Sequence, residues 1–319
     1  MNVFVSGASG FLGRSIVNQL MARGHVVSPL LRKAQKKDEY VKRGCMPIIG
    51  SMETITEWAK DLRGCQVVIH AAAPMVFWGK WSMYQSGIVS ATRDMYLAAK
   101  AHGVKRFIYI SSESVLQARM PLVDIDENRT YIEPDSMYGL AKQQAEKWLL
   151  EQTDGPEIII LRPTFIWGKG SAGLESIVKK VRSKQFIWVD AGAQPFEAVH
   201  VENVAAACIC ALNHGVHKGV YYITDGVEHS AREFIGQVLE ALDYKTPEKS
   251  VPGFIVYPMA VLIEWLWRML HLGFTPPLTR FETSFISLPR RYNIERARKE
   301  LGYKPVITIE QGLKELALM

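Results

Sequence analysis

Short runs of β-branched and aliphatic residues alternate with longer segments of helical periodicity through the first half of the chain. The runs are apolar throughout, which is typical of strands covered on both faces of a sheet. The order strand, helix, strand predicts parallel strands joined by right-handed crossovers. The predicted strands are Val3–Ser6, Val26–Leu31, Met46–Ile49, Val67–His70, Phe107–Ser111 and Ile158–Arg162. The helices predicted between them are Phe11–Arg23, Glu53–Leu62, Met83–His102 and Ser136–Gln152.

A glycine triplet follows the first predicted strand and opens the first predicted helix. The first glycine permits a tight turn, the second lets the backbone approach a pyrophosphate, and the third lets helix and strand pack closely. The helix N-terminus adds free N–H groups and the positive end of its dipole. This context predicts a dinucleotide-binding loop. The residues assigned to it are Gly7, Ser9, Gly10, Phe11, Leu12 and Gly13.

The end of the second predicted strand indicates which dinucleotide binds. An NAD enzyme usually places a carboxylate there to hold both ribose hydroxyls, but this chain has Leu31 followed by Arg32. A cation without a carboxylate suits a 2′-phosphate, so NADP is the predicted cofactor and NAD stays open as the alternative.

The regular alternation ends after Arg162. A glycine-rich loop at 167–173 precedes shorter helical and strand pieces, with an apolar return at Val199–Leu212 and a strand at Val220–Thr224. The predicted fold class is therefore α/β, a Rossmann-like doubly wound parallel sheet with a smaller C-terminal substrate lobe. We assign residues 1–164 to the dinucleotide-binding domain, with returns near 197–224, and residues 165–319 mainly to the substrate-binding lobe.

Two Tyr-x-x-x-Lys pairs occur, Tyr96 with Lys100 and Tyr138 with Lys142. The four-residue spacing places both side chains on one helical face, and a nearby cation lowers the pKa of a phenol toward the range useful for acid–base catalysis. Tyr138 follows the fifth predicted strand, and Ser112 at the end of that strand faces the ligand crevice of an open α/β sheet. Ser112, Tyr138 and Lys142 are therefore the predicted catalytic residues, and Tyr96 is interpreted as packing.

The order and spacing of these features together with five further segments resemble the extended short-chain dehydrogenase/reductase superfamily. The segments Val68–Ala73 and Leu161–Gly168 contribute to that likeness. The later segments Val199–Val204, Pro276–Phe281 and Ala297–Pro305 resemble the 3β-hydroxysteroid dehydrogenase branch, which includes bacterial reductases of long-chain 2-alkyl-3-ketoacids. The likeness extends over almost the whole chain.

The resemblance implies hydride transfer between the nicotinamide C4 and a carbinol or ketone carbon. Tyr138 would exchange the hydroxyl proton, Lys142 would lower the Tyr138 pKa and hold the nicotinamide ribose, and Ser112 would orient the oxygen. Further cofactor contacts implied by the resemblance come from Ser51, Met52, Ala71, Ala72, Ala73 and Pro163.

One position departs from the family pattern. The family usually has an asparagine in the helix before the fifth strand, where this chain has Ile88. An isoleucine holds no relay water and gives the lysine no brace, so a non-catalytic dinucleotide-binding regulator stays open as an alternative.

Apolar residues near the expected crevice predict a bulky hydrophobic substrate, of the 3-hydroxy or 3-keto steroid or long-chain β-ketoacid type. A nucleotide-sugar epimerase or dehydratase is the other alternative. It would need cations for a second diphosphate, and Lys179, Lys180 and Arg182 are more simply a solvated helix face. The predicted substrate-binding residues are Phe77, Trp78, Glu113, Phe165 and Trp167.

The composition of the chain excludes several classes of protein. The chain has 319 residues, with 48% hydrophobic and 22% charged residues and a net charge of +6, which excludes a disordered or fibrous protein. Its basic pairs lack the interleaved aromatic residues of a nucleic-acid-binding face, so no nucleic-acid partner is expected. Cys208 and Cys210 would lie on opposite faces of a helix, so no metal site is expected. The four scattered cysteines and the strand that begins at Asn2 without a preceding signal peptide predict a cytoplasmic protein.

The segment Gly253–Phe274 is apolar but contains Glu264, Arg268 and His271. A spanning helix needs about 20 apolar residues, so this one is not expected to cross a membrane. It is interpreted as a buried or partly buried helix, with contact to a membrane surface or the lining of an apolar pocket as the sharper hypothesis. Peripheral membrane contact through 253–274 and a homodimer both stay open.

Overall fold

The computed structural model of the chain describes residues 1–76 and 78–318. The strands are β1 (Asn2–Ser6), β2 (Val26–Leu31), β3 (Ile48–Ile49), β4 (Val67–His70), β5 (Arg106–Ile110), β6 (Leu122–Ile125), β7 (Glu157–Pro163), β8 (Phe165–Trp167), β9 (Trp188–Val189), β10 (Pro195–Phe196), β11 (Ala198–His200), β12 (Gly219–Ile223), β13 (His229–Ser230), β14 (Ser250–Val251) and β15 (Arg290–Tyr292). The α-helices are α1 (Phe11–Ala22), α2 (Lys37–Lys42), α3 (Ile55–Trp58), α4 (Trp81–Tyr84), α5 (Ala91–Ala101), α6 (Met137–Glu151), α7 (Ala172–Arg182), α8 (Val201–Cys210), α9 (Ala231–Ala241), α10 (Gly253–Met269), α11 (Arg280–Ser287) and α12 (Ile309–Ala317). Within this described part of the chain, no helix combines the length and apolarity needed to cross a membrane.

Seven strands form one parallel sheet in the order β12-β7-β5-β4-β1-β2-β3. From β1 the chain builds outward to β3, then returns to β4 on the other side of β1 and builds outward again. Val3 accordingly pairs with Val27 on one side and with Val67 on the other. Ligands of open α/β sheets bind where the strand order reverses in this way, outside the carboxyl ends of the strands. The predicted doubly wound α/β sheet is confirmed.

Alternate residues of each strand bury the two faces of this sheet. Along β1, Val3 and Val5 join a core cluster shared with α1 and α8, whereas Phe4 joins a second cluster shared with α5 and α6. This period of two explains why the strands are apolar throughout, because both faces are covered by helices.

Two predicted helices differ in detail from the observed ones. The segment predicted as Glu53–Leu62 contains only the single turn of α3, between 3₁₀ turns at Met52–Thr54 and Ala59–Leu62. Trp58 explains the break, since its indole stacks on Phe4 and its Nε1 donates to the carbonyl of Ser51 at 2.8 Å. The helix predicted at 83–102 begins at Trp81 and contains a π-helical segment, Gln85–Ser90, between α4 and α5.

The second half of the chain contributes both to this sheet and to a separate core. Strand β12 pairs with β7 and α8 packs on α1, so residues 201–223 belong to the layers around the first sheet. A third core cluster gathers around Trp167, Trp188 and Phe234. The short ladders β8–β11, β9–β14 and β10–β13 surround that third cluster. A lobe boundary at 164/165 stays a prediction.

Candidate active site

Two glycines shape the loop between β1 and α1. Gly7 has a φ of +70°, and a Cβ there would lie 2.9 Å from the Ala71 carbonyl carbon and from the Ala72 nitrogen. A Cβ on Gly13 would lie 2.1 Å from the Gly7 carbonyl oxygen. A side chain at either position would therefore push the loop away from its neighbours. Helix α1 begins directly after Gly10, so its free N-terminal N–H groups face this loop.

Ser6 joins the glycine loop to the loop after β4. Its Oγ accepts the N–H groups of Ala71 at 3.1 Å and Ala72 at 3.2 Å, and it hydrogen-bonds Nδ1 of His70 at 2.8 Å. Burial lowers the pKa of His70 to about 3, with a further lowering by the Lys142 charge, so its imidazole is neutral. The sequence reasoning missed Ser6 and His70. The available signals were a serine at the end of β1 and a histidine within the apolar run of β4.

The residues predicted near the adenosine lie at the carboxyl ends of β2 and β3. Arg32 is exposed directly after β2, and Ser51 and Met52 follow β3, the next strand in the sheet. A carboxylate that the sequence reasoning missed also lies here. The pKa of Glu53 is lowered mainly by a hydrogen bond from the Ser51 hydroxyl, and to a smaller extent by the Arg32 charge.

The loop residues Ser9, Phe11 and Leu12 are partly exposed around the glycine turn. Ala73 follows β4 in the same loop as Ala71. Pro163 ends β7, where it pairs with the last residue of β12. The predicted cofactor residues thus line one edge of the sheet, at the carboxyl ends of its strands.

Helix α6 brings the predicted catalytic residues to the carboxyl end of β5. Lys142 is buried, and its Nζ donates to the carbonyl of Ile110, the last residue of β5, at 2.7 Å. Ser112 follows that strand by two residues and caps the 3₁₀ turn at Glu113–Leu116. Tyr138 is 5% exposed, and its hydroxyl contacts the Met75 sulfur at 3.6 Å. The Lys142 Nζ lies 5.9 Å from the Tyr138 ring centre.

Burial determines the protonation of this pair. It raises the pKa of the Tyr138 phenol, and the Glu113 charge raises it further. The same burial lowers the pKa of Lys142 to about 7, against a smaller raising effect from Glu146. The sequence predicted that a lysine cation lowers the pKa of Tyr138. In this structure the Tyr138 pKa is raised instead, because desolvation is the dominant effect on both groups.

Gly139 places Tyr138 against the serine segment. A Cβ on Gly139 would lie 2.4 Å from the Ser114 carbonyl oxygen, so only glycine allows this approach of α6. Ser136 caps the helix by accepting the Gly139 N–H at 3.0 Å. The glycine inside the Tyr-x-x-x-Lys motif was the available signal, and the sequence reasoning did not use it.

The second Tyr-x-x-x-Lys pair lies away from this crevice. The Tyr96 hydroxyl donates to the Asp154 carbonyl oxygen at 2.9 Å, and the Lys100 Nζ binds the Asp154 carboxylate at 2.6 Å. Tyr96 itself packs against Phe107 and Trp148. Its position agrees with a packing role.

Ile88 lies in the π-helical segment and is 1% exposed. Its side chain packs in the same core cluster as Tyr109 and Tyr138. An apolar residue therefore occupies the position at which the family pattern has asparagine. The Lys142 Nζ donates to the Ile110 carbonyl oxygen.

The predicted substrate-binding residues have different environments. Phe77 lies outside the described residues. Trp78 lines a cavity, but Trp167 is fully buried in the third core cluster, with its Nε1 donating to Asp225 at 2.8 Å. Phe165 packs in the same cluster. Glu113 is buried as well, and its carboxylate accepts hydrogen bonds from Arg290 at 3.3 Å and from Tyr292 at 2.5 Å.

A cavity of about 430 Å³ opens beside the start of α6. It is more polar than the predicted apolar lining, because two arginines and three carboxyl groups reach it. Arg268 and Arg280 were missed because helices remote in sequence bring them here. The lining includes Trp78, Tyr84, Glu133, Asp135, Ser136, Met137, Leu140, Glu264, Arg268, Arg280 and Phe281.

Known proteins of similar sequence and structure were compared with this chain. A ketoreductase of Stigmatella aurantiaca, named 4-hydroxy-2-methyl-3-oxo-4-farnesyl-3,4-dihydroquinoline-1-oxide ketoreductase, is 32% identical over 99% of this chain and 96% of its own. The 2-alkyl-3-oxoalkanoate reductase of Stenotrophomonas maltophilia is 28% identical over 99% of this chain and 98% of its own. The crystal structure of DesIV, a dTDP-glucose 4,6-dehydratase from Streptomyces venezuelae with NAD bound, superposes with a TM-score of 0.79 at 20% identity, covering 100% of this chain and 96% of that one.

The fold and these relatives define the class: the protein is an oxidoreductase of the extended short-chain dehydrogenase/reductase type. Within that class, the chain belongs to the 3-beta hydroxysteroid dehydrogenase/isomerase family, which its residues 4–252 match.

Proposed function

We propose that this oxidoreductase interconverts a hydroxyl group and a ketone on a bulky hydrophobic substrate, with NADP as its cofactor. The observation that carries the proposal is the convergence of Ser112, Tyr138 and Lys142 at the carboxyl end of β5, beside the 430 Å³ cavity. The names of the two relatives, a ketoreductase and an oxoalkanoate reductase, support the same chemistry.

The residues around the glycine loop fit a dinucleotide. Gly7 lets the loop approach the backbone of Ala71 and Ala72, and Gly13 lets α1 approach the Gly7 carbonyl. The free N–H groups of α1 face this loop. Ala71 and Ala72, fixed by Ser6, would line the adenosine side. Arg32 would pair with the 2′-phosphate from the end of β2. The remaining residues proposed to contact the cofactor are Ser9, Gly10, Phe11, Leu12, Ser51, Met52, Ala73, Tyr138, Lys142 and Pro163.

The nicotinamide, when bound, supplies a hydride to the ketone carbon or accepts one from the carbinol carbon. Tyr138 would donate its phenolic proton to the ketone oxygen, or accept the hydroxyl proton in the reverse direction. Ser112 would hold that oxygen by a hydrogen bond. Lys142 would stabilise the phenolate left after proton transfer, because a cation next to a buried anion offsets part of the desolvation cost.

The substrate is proposed to be of the 3-hydroxy or 3-keto steroid type or of the long-chain β-ketoacid type. The cavity provides apolar contacts from Trp78, Met137 and Leu140 for the bulky part of such a molecule. Its Arg268 guanidinium lies 5.3 Å from the Trp78 ring and offers a cation to an acidic substituent. The pocket therefore suits a molecule with a large apolar body and one polar end.

Substrate-dependent NADPH oxidation tests the proposal. We expect turnover with ketosteroids or with β-ketoacids of increasing chain length, and none with UDP-sugars. Tyr138→Phe should lower turnover by about 10²–10⁴-fold while NADPH still binds. Tyr96→Phe is the matched control and should leave turnover nearly unchanged. Efficient UDP-sugar turnover, or equal losses from the two substitutions, would contradict the proposal.

A further inference from the structure

Helix α6 carries a third buried polar side chain beyond the proposed catalytic pair. Tyr138, Lys142 and Glu146 follow one another at four-residue intervals, so they lie along one side of the helix. Glu146 is 0% exposed and lies about one helical turn from Lys142. A carboxyl group is almost never fully buried unless it is paired. Its partners therefore indicate what this side chain does.

A buried cation and a phenol bind the Glu146 carboxylate. Arg162 on β7 donates to it twice, from Nε to Oε1 at 3.0 Å and from Nη2 to Oε2 at 2.6 Å. The Tyr131 hydroxyl donates to Oε2 at 2.6 Å. Arg162 is also buried, and its Nη1 donates to the Tyr222 hydroxyl on β12 at 3.1 Å. Two-point binding by an arginine fixes both the position and the plane of the carboxylate.

The strand register places this ion pair beside the surroundings of Lys142. Arg162 lies two residues after Ile160, which pairs with Tyr109 on β5. Tyr109 and Ile160 belong to the core cluster under α6, and alternate residues of a strand share a face, so Arg162 points toward α6 as well. The Lys142 Nζ lies 4.8 Å from the Tyr109 ring centre and donates to the Ile110 carbonyl at 2.7 Å. The ion pair and the Lys142 amino group therefore share the space between α6 and the sheet.

Lys142 needs an anion in this space to stay charged. Burial lowers its pKa to about 7, and the Glu146 charge opposes that lowering. The nearby phenols are neutral at pH 7, since burial raises the pKa of Tyr109 on β5 and of Tyr138 on α6. Burial lowers the pKa of His70 on β4 to about 3, so its imidazole is neutral too.

Further titratable groups lie on the elements packed against α6. They are Tyr84 on α4, Tyr96 on α5 and Glu113 in the turn after β5. Burial raises the pKa of Tyr84 and Tyr96, so both are neutral at pH 7, and Glu113 is paired with Arg290. The Glu146 carboxylate is thus the anion that favours the charged form of Lys142.

We propose that Glu146 is a positioning residue that keeps Lys142 in its ammonium form near neutral pH. Arg162 and Tyr131 hold the carboxylate in place, and the carboxylate acts on Lys142 across one turn of α6. The ammonium form stabilises the phenolate that remains after proton transfer from Tyr138, and an uncharged amine would not. The consequence for catalysis rests on the proposed function, whereas the effect of Glu146 on the charge of Lys142 does not.

The titration of Lys142 in the full chain tests this role without any substrate. The probe is the nuclear magnetic resonance signal of Cε in protein made with carbon-13-labelled lysine, assigned to Lys142 by its loss in Lys142→Met. Glu146→Gln should move the titration midpoint downward by about one pH unit or more, because the anion is lost and the Arg162 cation is no longer offset. Glu157→Gln is the matched control and should leave the midpoint unchanged. Glu157 begins the same strand as Arg162, and its side chain is 55% exposed and paired with Arg106.

A double variant keeps the test decisive if Glu146→Gln does not fold. E146Q/R162M removes both charges of the pair, a change that buried ion pairs often tolerate. Its Lys142 midpoint should still lie below that of the wild type, because the Glu146 charge is absent. The pH profile of turnover gives a second measurement. In Glu146→Gln the fall of kcat on the alkaline side should move to lower pH by as much as the Lys142 midpoint, with the KM for the ketone unchanged.

The two measurements separate this role from the proposed function. An unchanged Lys142 midpoint in E146Q and in E146Q/R162M would overturn the proposal. So would a loss of kcat in Glu146→Gln that is equal at every pH, since that is the result of a purely structural role. A shifted midpoint in a protein that reduces no ketone would support the effect of Glu146 on Lys142 and refute the proposed function alone.

Discussion

The protonation of Tyr138 and Lys142 follows from burial more than from their mutual distance. A phenol and an ammonium group that are both desolvated shift in opposite directions, the phenol pKa upward and the ammonium pKa downward. Both shifts favour the neutral forms, so the phenolic proton is in place for donation to a ketone oxygen. The lysine that accompanies it titrates near neutral pH.

The stability of the Lys142→Met variant tests whether burial lowers the pKa of Lys142. Burial lowers the pKa of Lys142 from 10.5 to about 7, so between these values the folded protein binds fewer protons than the unfolded chain. The cost of the buried charge is therefore fully present below pH 7 and disappears as pH rises toward 10.5. We expect Lys142→Met to gain stability relative to the wild type at pH 6, and this gain to shrink toward pH 10. Urea unfolding across that range measures it, and a gap independent of pH would contradict the assignment.

Arg32 and Glu53 provide a test of cofactor choice. The guanidinium of Arg32 is expected to pair with the 2′-phosphate of NADPH, and the Glu53 carboxylate beside it is expected to repel that phosphate. Arg32→Ala should narrow the preference for NADPH over NADH by about tenfold, and Glu53→Gln should widen it. Fluorescence titration of both cofactors measures the ratio. Tighter binding of NADH than of NADPH by the wild type would refute NADP as the cofactor.

At the scale of elements, the strands were predictable because their two buried faces impose a continuous apolar run. The bounds predicted for β2 and β4 agree with the observed ones, Val26–Leu31 and Val67–His70. The break around α3 was not predictable. It accompanies contacts of the Trp58 indole with Phe4 and Ser51, and the apolar periodicity of residues 53–62 carries no signal of those contacts. The π-helical segment around Ile88 packs that residue into the core cluster that includes Tyr138 and Ala141 of α6, and it leaves no signature in the apolar pattern.

Gly139→Ala tests the contact that positions α6. The added Cβ would lie 2.4 Å from the Ser114 carbonyl oxygen, a backbone atom, and 3.0 Å from the Cβ of Pro134. Neither atom is the far end of a flexible side chain that could move aside. We expect a loss of about 1–3 kcal/mol in the free energy of unfolding, with a fall in turnover as Tyr138 moves away from Ser112. Gly236→Ala is the matched control inside α9, where the nearest atom would be 3.5 Å away. That variant should gain up to about 1 kcal/mol.

At the scale of the whole molecule, the placement of Ser112, Tyr138 and Lys142 at the carboxyl end of β5 was predictable and the cavity was not. Ser112, Tyr138 and Lys142 all depend on one strand and one helix that are close in sequence. The cavity instead combines the start of α6 with α10 and α11, which follow it by more than a hundred residues. No local pattern specifies that approach, so its arginines and the buried position of Trp167 emerge only from the folded chain.

Arg290 connects the C-terminal region to the segment around Ser112. On β15 it donates to the carboxylate of Glu113, which directly follows Ser112, and both side chains are almost fully buried. Removing the cation leaves a buried carboxylate without its ionic partner, which costs about 3–5 kcal/mol in comparable buried pairs. Arg290→Met should therefore destabilise the protein by about that amount. It should also lower turnover, because a displaced Glu113 carboxylate would move the adjacent Ser112 and change the charge near Tyr138.

Arg291→Met is the matched control for this prediction. The neighbouring Arg291 pairs with Asp124 and Glu228, whose side chains are 74% and 70% exposed. Exposed pairs contribute about 0–1 kcal/mol, so this variant should retain nearly full stability and turnover. Urea unfolding at pH 7 and turnover measurements compare the two variants. Equal deficits for the two variants would show that the Glu113–Arg290 pair does not link β15 to the segment around Ser112.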